Sequence, residues 1–462
     1  MKAATNIING KVWINGNLLN TGVSIVDGKI AAIADEKFLP PAENVIDAKG
    51  NLVLPGAIDT HVHSREPGGT DREDFVTITA GAAAGGVTTI LDMPNNIPPT
   101  STVENFTKKQ EMAESRAIVD FGLYAGAGTD NIDEIIKLAE AGAVGYKTFL
   151  TRLAPDRIEE FKGLVVDNDG SFLEVLKEVR KAGILYCIHC ENEGINNFYT
   201  EKLQSEKRND FAAFGESRPP ISEISGIGRV LVLSKYTNTP VHICHVSEPE
   251  AIKMIDNAKK DGQKVSCEVA SPYPFFSEED LDRMGPFGFS FPPLRKMPNK
   301  ELIYESLLNG KIDIINSDHA PYTKEEVEIG WENIWKVPPS ISTIETLFPM
   351  LLNEVSKGKM PLKRLMEIFV EKPAQLFGIY PQKGVIQVGS DADIVIVDMN
   401  REKTIKDDDM HTKIKTTQFN GFTVKGVPVL TMVRGKVVME DGCVVGEPGW
   451  GIMVKPIRNE QV

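Results

Sequence analysis

The segment Asp59-Thr60-His61-Val62-His63-Ser64-Arg65-Glu66-Pro67-Gly68 follows a short apolar run that reads as a strand. Histidines at i and i+2 of a strand project from one face, and imidazole is a common ligand for Zn²⁺ and related ions. His61 and His63 are two of only seven histidines in the chain, so the pair reads as half of a metal site. Four more residues of suitable chemistry stand in or at the ends of apolar, β-branched runs. They are Lys147 within 144–149, His189 closing 184–189, His245 in 241–246 and Asp318 closing 312–318. Each alone has an ordinary explanation, such as a hydrogen-bonded core histidine or a lysine reaching to solvent. Together, at corresponding ends of successive strands, they point to one site.

Lys147 is the odd member, because an ammonium beside a metal is repulsive. Burial lowers a lysine's pKa, and the neutral amine can capture CO₂ as a carbamate. That turns a cation into an anion with two oxygens, suited to bridging two divalent ions. Two such ions about 3.5–4 Å apart polarise a carbonyl and bring the pKa of a shared water toward ~7. The expected cofactors are therefore two divalent ions, zinc first, with CO₂ held as a carbamate on Lys147. The shared hydroxide would attack an amide carbon. Asp318, besides ligating, would carry the proton to the leaving nitrogen as general base and acid.

Eight short apolar runs must position these groups: 57–63, 87–93, 118–124, 144–149, 184–189, 241–246, 264–269 and 312–318. Stretches with helical period lie between most of them, at 132–141, 171–182, 222–235, 248–260 and 300–308. Strands alternating with helices predict an α/β fold, a (β/α)₈ TIM barrel, with catalytic groups at the C-terminal ends of the strands. Residues 1–54 read instead as short strands separated by Asn9-Gly10, Asn15-Gly16 and Asp27-Gly28 turns. Similar texture returns at 392–397, 424–433 and 436–439. The expected organisation is a small β-sandwich made by residues 1–54 and 381–462, with the barrel, 55–380, inserted. Long connections after the fourth, fifth and eighth strands (to 170, 192–221 and 319–340) are candidates for covering a substrate.

A chain of 462 residues with 41% hydrophobic and 25% charged residues reads as globular. Asp+Glu 65 against Lys+Arg 51, a net charge of −14, argues against nucleic acid or an anionic membrane as partner. No run reaches the roughly 18 apolar residues of a membrane helix, and the N-terminus lacks a signal pattern. Five irregularly placed cysteines do not form a disulfide framework; Cys187, Cys190, Cys244 and Cys267 read as small core residues of a cytoplasmic protein. His242 shares strand parity with Cys244 and is expected to face away from His245 in a structural role. His319 reads as supporting the metal or packing behind the sheet, and His411 as solvent-exposed.

The motifs carry a resemblance over nearly the full length. Pro55-Gly56-Ala57-Ile58-Asp59-Thr60-His61-Val62-His63, the Lys147 strand, Ile188-His189-Cys190-Glu191, His242-Ile243-Cys244-His245-Val246-Ser247 and Asp318-His319-Ala320-Pro321 resemble the amidohydrolase superfamily. Within it, the chain is similar to the cyclic amidases: dihydroorotase, allantoinase and hydantoinase/dihydropyrimidinase. The resemblance implies His61, His63 and Asp318 on one ion, His189 and His245 on the other, and carboxylated Lys147 bridging. It also implies a small cyclic amide or ureide as substrate and a homodimer or homotetramer. Arg65, in His61-Val62-His63-Ser64-Arg65-Glu66-Pro67-Gly68, and Asn95, in Met93-Pro94-Asn95-Asn96, look like the dihydroorotase residues that hold a substrate carboxylate. A guanidinium fork matches a carboxylate, and a carboxamide adds a donor. The implied reaction interconverts N-carbamoyl-aspartate and dihydroorotate in pyrimidine biosynthesis. Two departures exist: Tyr322 stands where dihydroorotases carry a clamping histidine, and Ser271-Pro272-Tyr273 replaces a Pro-His-His segment. Tyr322 can still donate a hydrogen bond to substrate. Cys190-Glu191-Asn192, Ser217-Arg218-Pro219-Pro220 and the Trp335 segment resemble allantoinase or hydantoinase instead.

Overall fold

The computed structural model describes residues 3–151 and 157–457. Eight parallel strands follow one another around a sheet in chain order: Ala57–Val62, Val87–Asp92, Asp120–Gly126, Gly145–Phe149, Leu185–His189, Val241–Ile243, Val265–Ala270 and Ile314–Asn316. The last strand returns to the first through a parallel bridge between Val62 and His319, where the His63 N–H donates to the His319 carbonyl at 2.8 Å. This is the (β/α)₈ barrel. Near-continuous apolar runs suit it, because helices cover the outer face of each strand and side chains fill the inside.

The intervening helices show local control by sequence. Asp169–Ala182 starts where the Asn168 side chain accepts from the Ser171 N–H, and stops at Gly183, whose φ of 73° is left-handed. It buries Phe172, Val175, Leu176 and Val179, one stripe at i, i+3, i+4 and i+7. The sixth and eighth strands are shorter than their apolar runs, ending at Ile243 and Asn316. His245 and Asp318, just beyond, take left-handed φ of 35° and 47°. Such conformations cost non-glycine residues of order 1–3 kcal/mol and cluster at functional sites.

The chain's two ends meet in two further sheets. One orders Lys29–Ala34, Gly22–Val26, Ala3–Ile8 and Ala42–Asp47; the other orders Cys443–Val444, Lys436–Glu440, Thr423–Val433, Ile394–Thr404, Leu52–Pro55, Lys11–Ile14 and Asn17–Asn20. In the second sheet Leu52–Pro55 pairs antiparallel with residues 394–397, joining N- and C-terminal segments. Ile7, Val23, Ile25 and Ile30 from the first sheet share one buried cluster with Val53, Ile394, Leu430 and Met432 from the second. Of the long connections, the one after the fourth strand includes residues 152–156, outside the described residues. Among the described residues no helix is long and apolar enough to cross a membrane.

Candidate metal and substrate site

The strand ends bring the expected side chains together. His61 lies in the first barrel strand and His63 just past it, and Nε2 of each approaches Asp318 Oδ1, at 3.4 and 3.6 Å. Across the barrel mouth His189 Nδ1 stands 3.2 Å from His245 Nε2. The ring centroids of His61 and His245 are 5.5 Å apart, so the two groups are contiguous. Lys147 is buried among them, its Nζ 5.0 Å from the Phe149 ring centre, and Phe149 is next to His189. Two imidazole nitrogens facing each other with no acid between them among the described residues, beside a His-His-Asp cluster, fit bound divalent cations.

Electrostatics sharpen this picture. Burial lowers the His61 pKa, but Asp318 and Glu268 outweigh it and raise it to about 10. His63 and His245 fall well below the ordinary value, mainly through burial; neutral imidazole is the form that ligates. Burial also raises the Asp318 pKa, against the attraction of His61 and Lys147. Lys147 corrects an expectation. Burial does press its pKa down, but Cys244, Glu268 and Asp318 hold it above the ordinary lysine value. Here the negative neighbours outweigh desolvation.

Several partners escaped the sequence reading. Glu268 lies between two imidazoles, 2.6 Å from His61 Nδ1 and 3.0 Å from His242 Nε2. Glu191 lies 2.8 Å from His189 Nε2 and receives an Arg218 donor at 2.7 Å. Cys244 is buried, as expected of a core residue, yet it accepts from Lys147 Nζ at 3.2 Å. The parity argument therefore fails there: the strand stops at Ile243, and the left-handed turn at His245 lets Cys244 and His245 both reach the site. His242 is fully buried on Ser266 and Glu268. His319 turns to Glu73 at 3.2 Å. His411 is not solvent-exposed; it is partly buried, 3.0 Å from Glu345, because the C-terminal segment packs on the barrel.

A cavity of about 360 Å³ opens over the cluster, lined by His61, His63, Lys147, His189, His245 and Asp318 and, on the substrate side, by Arg65, Asn95 and Tyr322. Arg157, Phe161, Asn196, Arg218 and Pro339 also line it, so all three long connections contribute walls. Arg65 takes a left-handed φ of 58° and donates Nε to the Pro321 carbonyl at 3.2 Å. The Tyr322 ring packs against two guanidinium groups, Arg65 and Arg72, each 4.5 Å from its centre. Asn95 Nδ2 donates to Glu160 at 3.3 Å, while its Oδ1 is buried without a partner among the described residues.

The amidohydrolase family model matches residues 52–438. The chain belongs to this family. Full-length relatives put it in the cyclic amidase branch. It is 37% identical to an L-hydantoinase of Paenarthrobacter aurescens, covering 96% of each chain. It is 36% identical to a dihydroorotase of Methanothermobacter thermautotrophicus, covering 92% of each, and 33% identical to an allantoinase of Rubrobacter xylanophilus, covering 100% of this chain and 99% of that one. The solved L-hydantoinase (dihydropyrimidinase) of Arthrobacter aurescens superposes with a TM-score of 0.94 at 36% identity, covering 98% of this chain and all of the other.

Proposed function

We propose that this amidohydrolase opens and closes a cyclic amide that carries a carboxylate, dihydroorotate being the first candidate. The observation that carries the reading is the state of its cavity arginines. Arg157 is paired with Glu160 and Arg218 with Glu191. Arg65 engages only Pro321 through Nε, leaving both Nη atoms without a protein partner among the described residues. A buried guanidinium with an open fork calls for an anion, and Asn95, whose Nδ2 gives one N–H to Glu160 and keeps a second, lines the same cavity.

In this reading His61, His63 and Asp318 would hold one divalent ion and His189 and His245 the other, and Lys147, buried among them, would supply oxygen ligands once CO₂ and the ions displace its proton. Bound there, the ions would polarise the ring carbonyl and acidify a water. Asp318, just past the eighth strand, would take the proton of the attacking water and return it to the ring nitrogen as the C–N bond breaks. Arg65 and Asn95 orient the ring through its carboxylate. Tyr322, in cation–π contact with Arg65 and Arg72, restrains the Arg65 side chain.

A second reading, hydantoinase, is supported by the 37% identity to the L-hydantoinase relative. Parallel kcat/KM measurements with dihydroorotate, hydantoin, allantoin and dihydrouracil decide between the two. Dihydroorotate should be preferred, and Arg65→Met should lower its kcat/KM by roughly 10–100-fold, the worth of lost charged hydrogen bonds of ~1.5–3 kcal/mol. Hydantoin turnover should be spared. Equal losses on both substrates, or a wild-type preference for hydantoin, would sink the carboxylate reading.

A further inference from the structure

Arg65 and Asn95 lie on two different loops, one after the first barrel strand and one after the second, and a carboxylate clamp works only if both are fixed relative to each other. We propose that Lys109, on the helix Val103–Arg116, is the positioning residue that fixes them. The inference rests on the carboxylate reading above. Lys109 is wholly buried, where lysine is rarely found unless paired. All three of its ammonium donors are used: on Asp92 Oδ2 at 2.5 Å, Asn96 Oδ1 at 2.5 Å and the Met93 carbonyl at 2.8 Å.

Two of those partners grip neighbours of a clamp residue. Asp92 accepts from the Ser64 N–H at 2.7 Å and from Ser64 Oγ at 2.8 Å. Asn96 Nδ2 donates to the Glu66 carbonyl at 3.1 Å. Ser64 and Glu66 flank Arg65, so the residues on both sides of its left-handed backbone are tied to one ammonium. Met93 and Asn96 flank the Pro94-Asn95 pair, so the second loop is held by the same ammonium at both ends. The helix adds a second tie, since Arg116 pairs with the Glu66 carboxylate, which also accepts from the Phe75 N–H at 3.0 Å. No atom of Lys109 lines the cavity; it acts through Arg65 and Asn95. A compact, three-donor point charge suits this task, and an arginine fork does not.

Two variants test the inference on the metal-loaded enzyme. Lys109→Met with Asp92→Asn removes both buried charges together, and Asn96→Ala cuts the link to Glu66 while keeping the ion pair. Both should raise the KM for dihydroorotate by roughly tenfold or more, as a clamp displaced by about 1 Å loses its alignment. kcat/KM for hydantoin and metal content should stay at wild-type values. Amide hydrogen exchange should quicken in segments 64–69 and 93–97 and not elsewhere in the barrel. Equal losses on both substrates, or an unchanged dihydroorotate KM where Arg65→Met raises it, would overturn the role of Lys109 and leave the carboxylate reading standing. An unchanged KM in Arg65→Met itself would remove that reading and this inference with it. Should the double variant not fold, Asn96→Ala decides alone.

Discussion

Glu191 closes the back of His189. Its carboxylate lies 2.8 Å from His189 Nε2, which places that nitrogen's proton and leaves Nδ1 as the lone-pair side facing His245. Burial would raise the Glu191 pKa, but Arg218 and His189 hold it well below the ordinary carboxylate range, so it remains an acceptor at working pH. Asn196 adds a further donor at 3.2 Å. Glu268, in the seventh barrel strand, does the same for His61. Partners of this kind are worth about 10–100-fold in metal affinity or activity. Glu191→Gln should weaken metal retention by that order, read by chelator competition, with the fold intact by circular dichroism. Wild-type retention would show that His189 needs no such orientation.

At the scale of elements, the barrel's helices carry charge into protected places. Glu248 caps the helix Pro249–Lys260 without a side-chain capping bond; its carboxylate is buried, 2.8 Å from Arg295, with Asn299 donating at 2.9 Å and Glu223 sharing the same arginine. Burial pushes the Glu248 pKa up to about 7, the repulsion of Glu223 adding to it and Arg295 opposing. A carboxyl whose folded pKa lies above its unfolded one keeps its proton longer in the native state. Its stability contribution is therefore complete below about 4.5 and declines as pH rises through about 7. Over that window wild type should lose stability relative to Glu248→Gln, by up to roughly 3 kcal/mol, in denaturant titrations at stepped pH. A pH-independent difference would show that Glu248 is ionised throughout. The helices themselves were legible in the sequence. Their apolar stripes and caps are local features, as in Asp169–Ala182 with Asn168 and Gly183. The partner of a buried charge was not, because Arg295 is distant in sequence from both its acids.

At the scale of the whole molecule, one buried ion cluster ties the barrel to the terminal sheets. Lys383 Nζ lies 2.5 Å from Asp120, 2.6 Å from Asp393 and 3.1 Å from Asp391. Asp120 opens the third barrel strand, and Asp393 directly precedes the strand Ile394–Thr404. Arg434 and Lys29 complete the balance, on Asp120 at 3.0 Å and Asp391 at 2.5 Å. Three carboxylates thus meet three cations, and surrounding charge raises the Lys383 pKa despite burial. Removing one member leaves unpaired buried charge, which costs about 3–5 kcal/mol. Lys383→Met should lower unfolding stability by that amount in chemical denaturation. A loss below about 1 kcal/mol would show that the cluster is solvated and does not bind the two parts together.

What the sequence determined by itself was whatever is written locally. Runs of β-branched residues alternating with helical stripes set the barrel. Asn-Gly and Asp-Gly turns set the terminal strands. Histidines, a lysine and an aspartate at the ends of those runs set the residue types of the site. Tertiary structure decided what depends on closure. Only the barrel brings Glu268 to His61 and Arg72 to Tyr322, because these contacts join segments far apart in the chain. Only the backbone's left-handed turns at Arg65, His245 and Asp318 decide where those side chains go. Strand parity, a period of two that holds only while the strand lasts, ceases to apply where they begin.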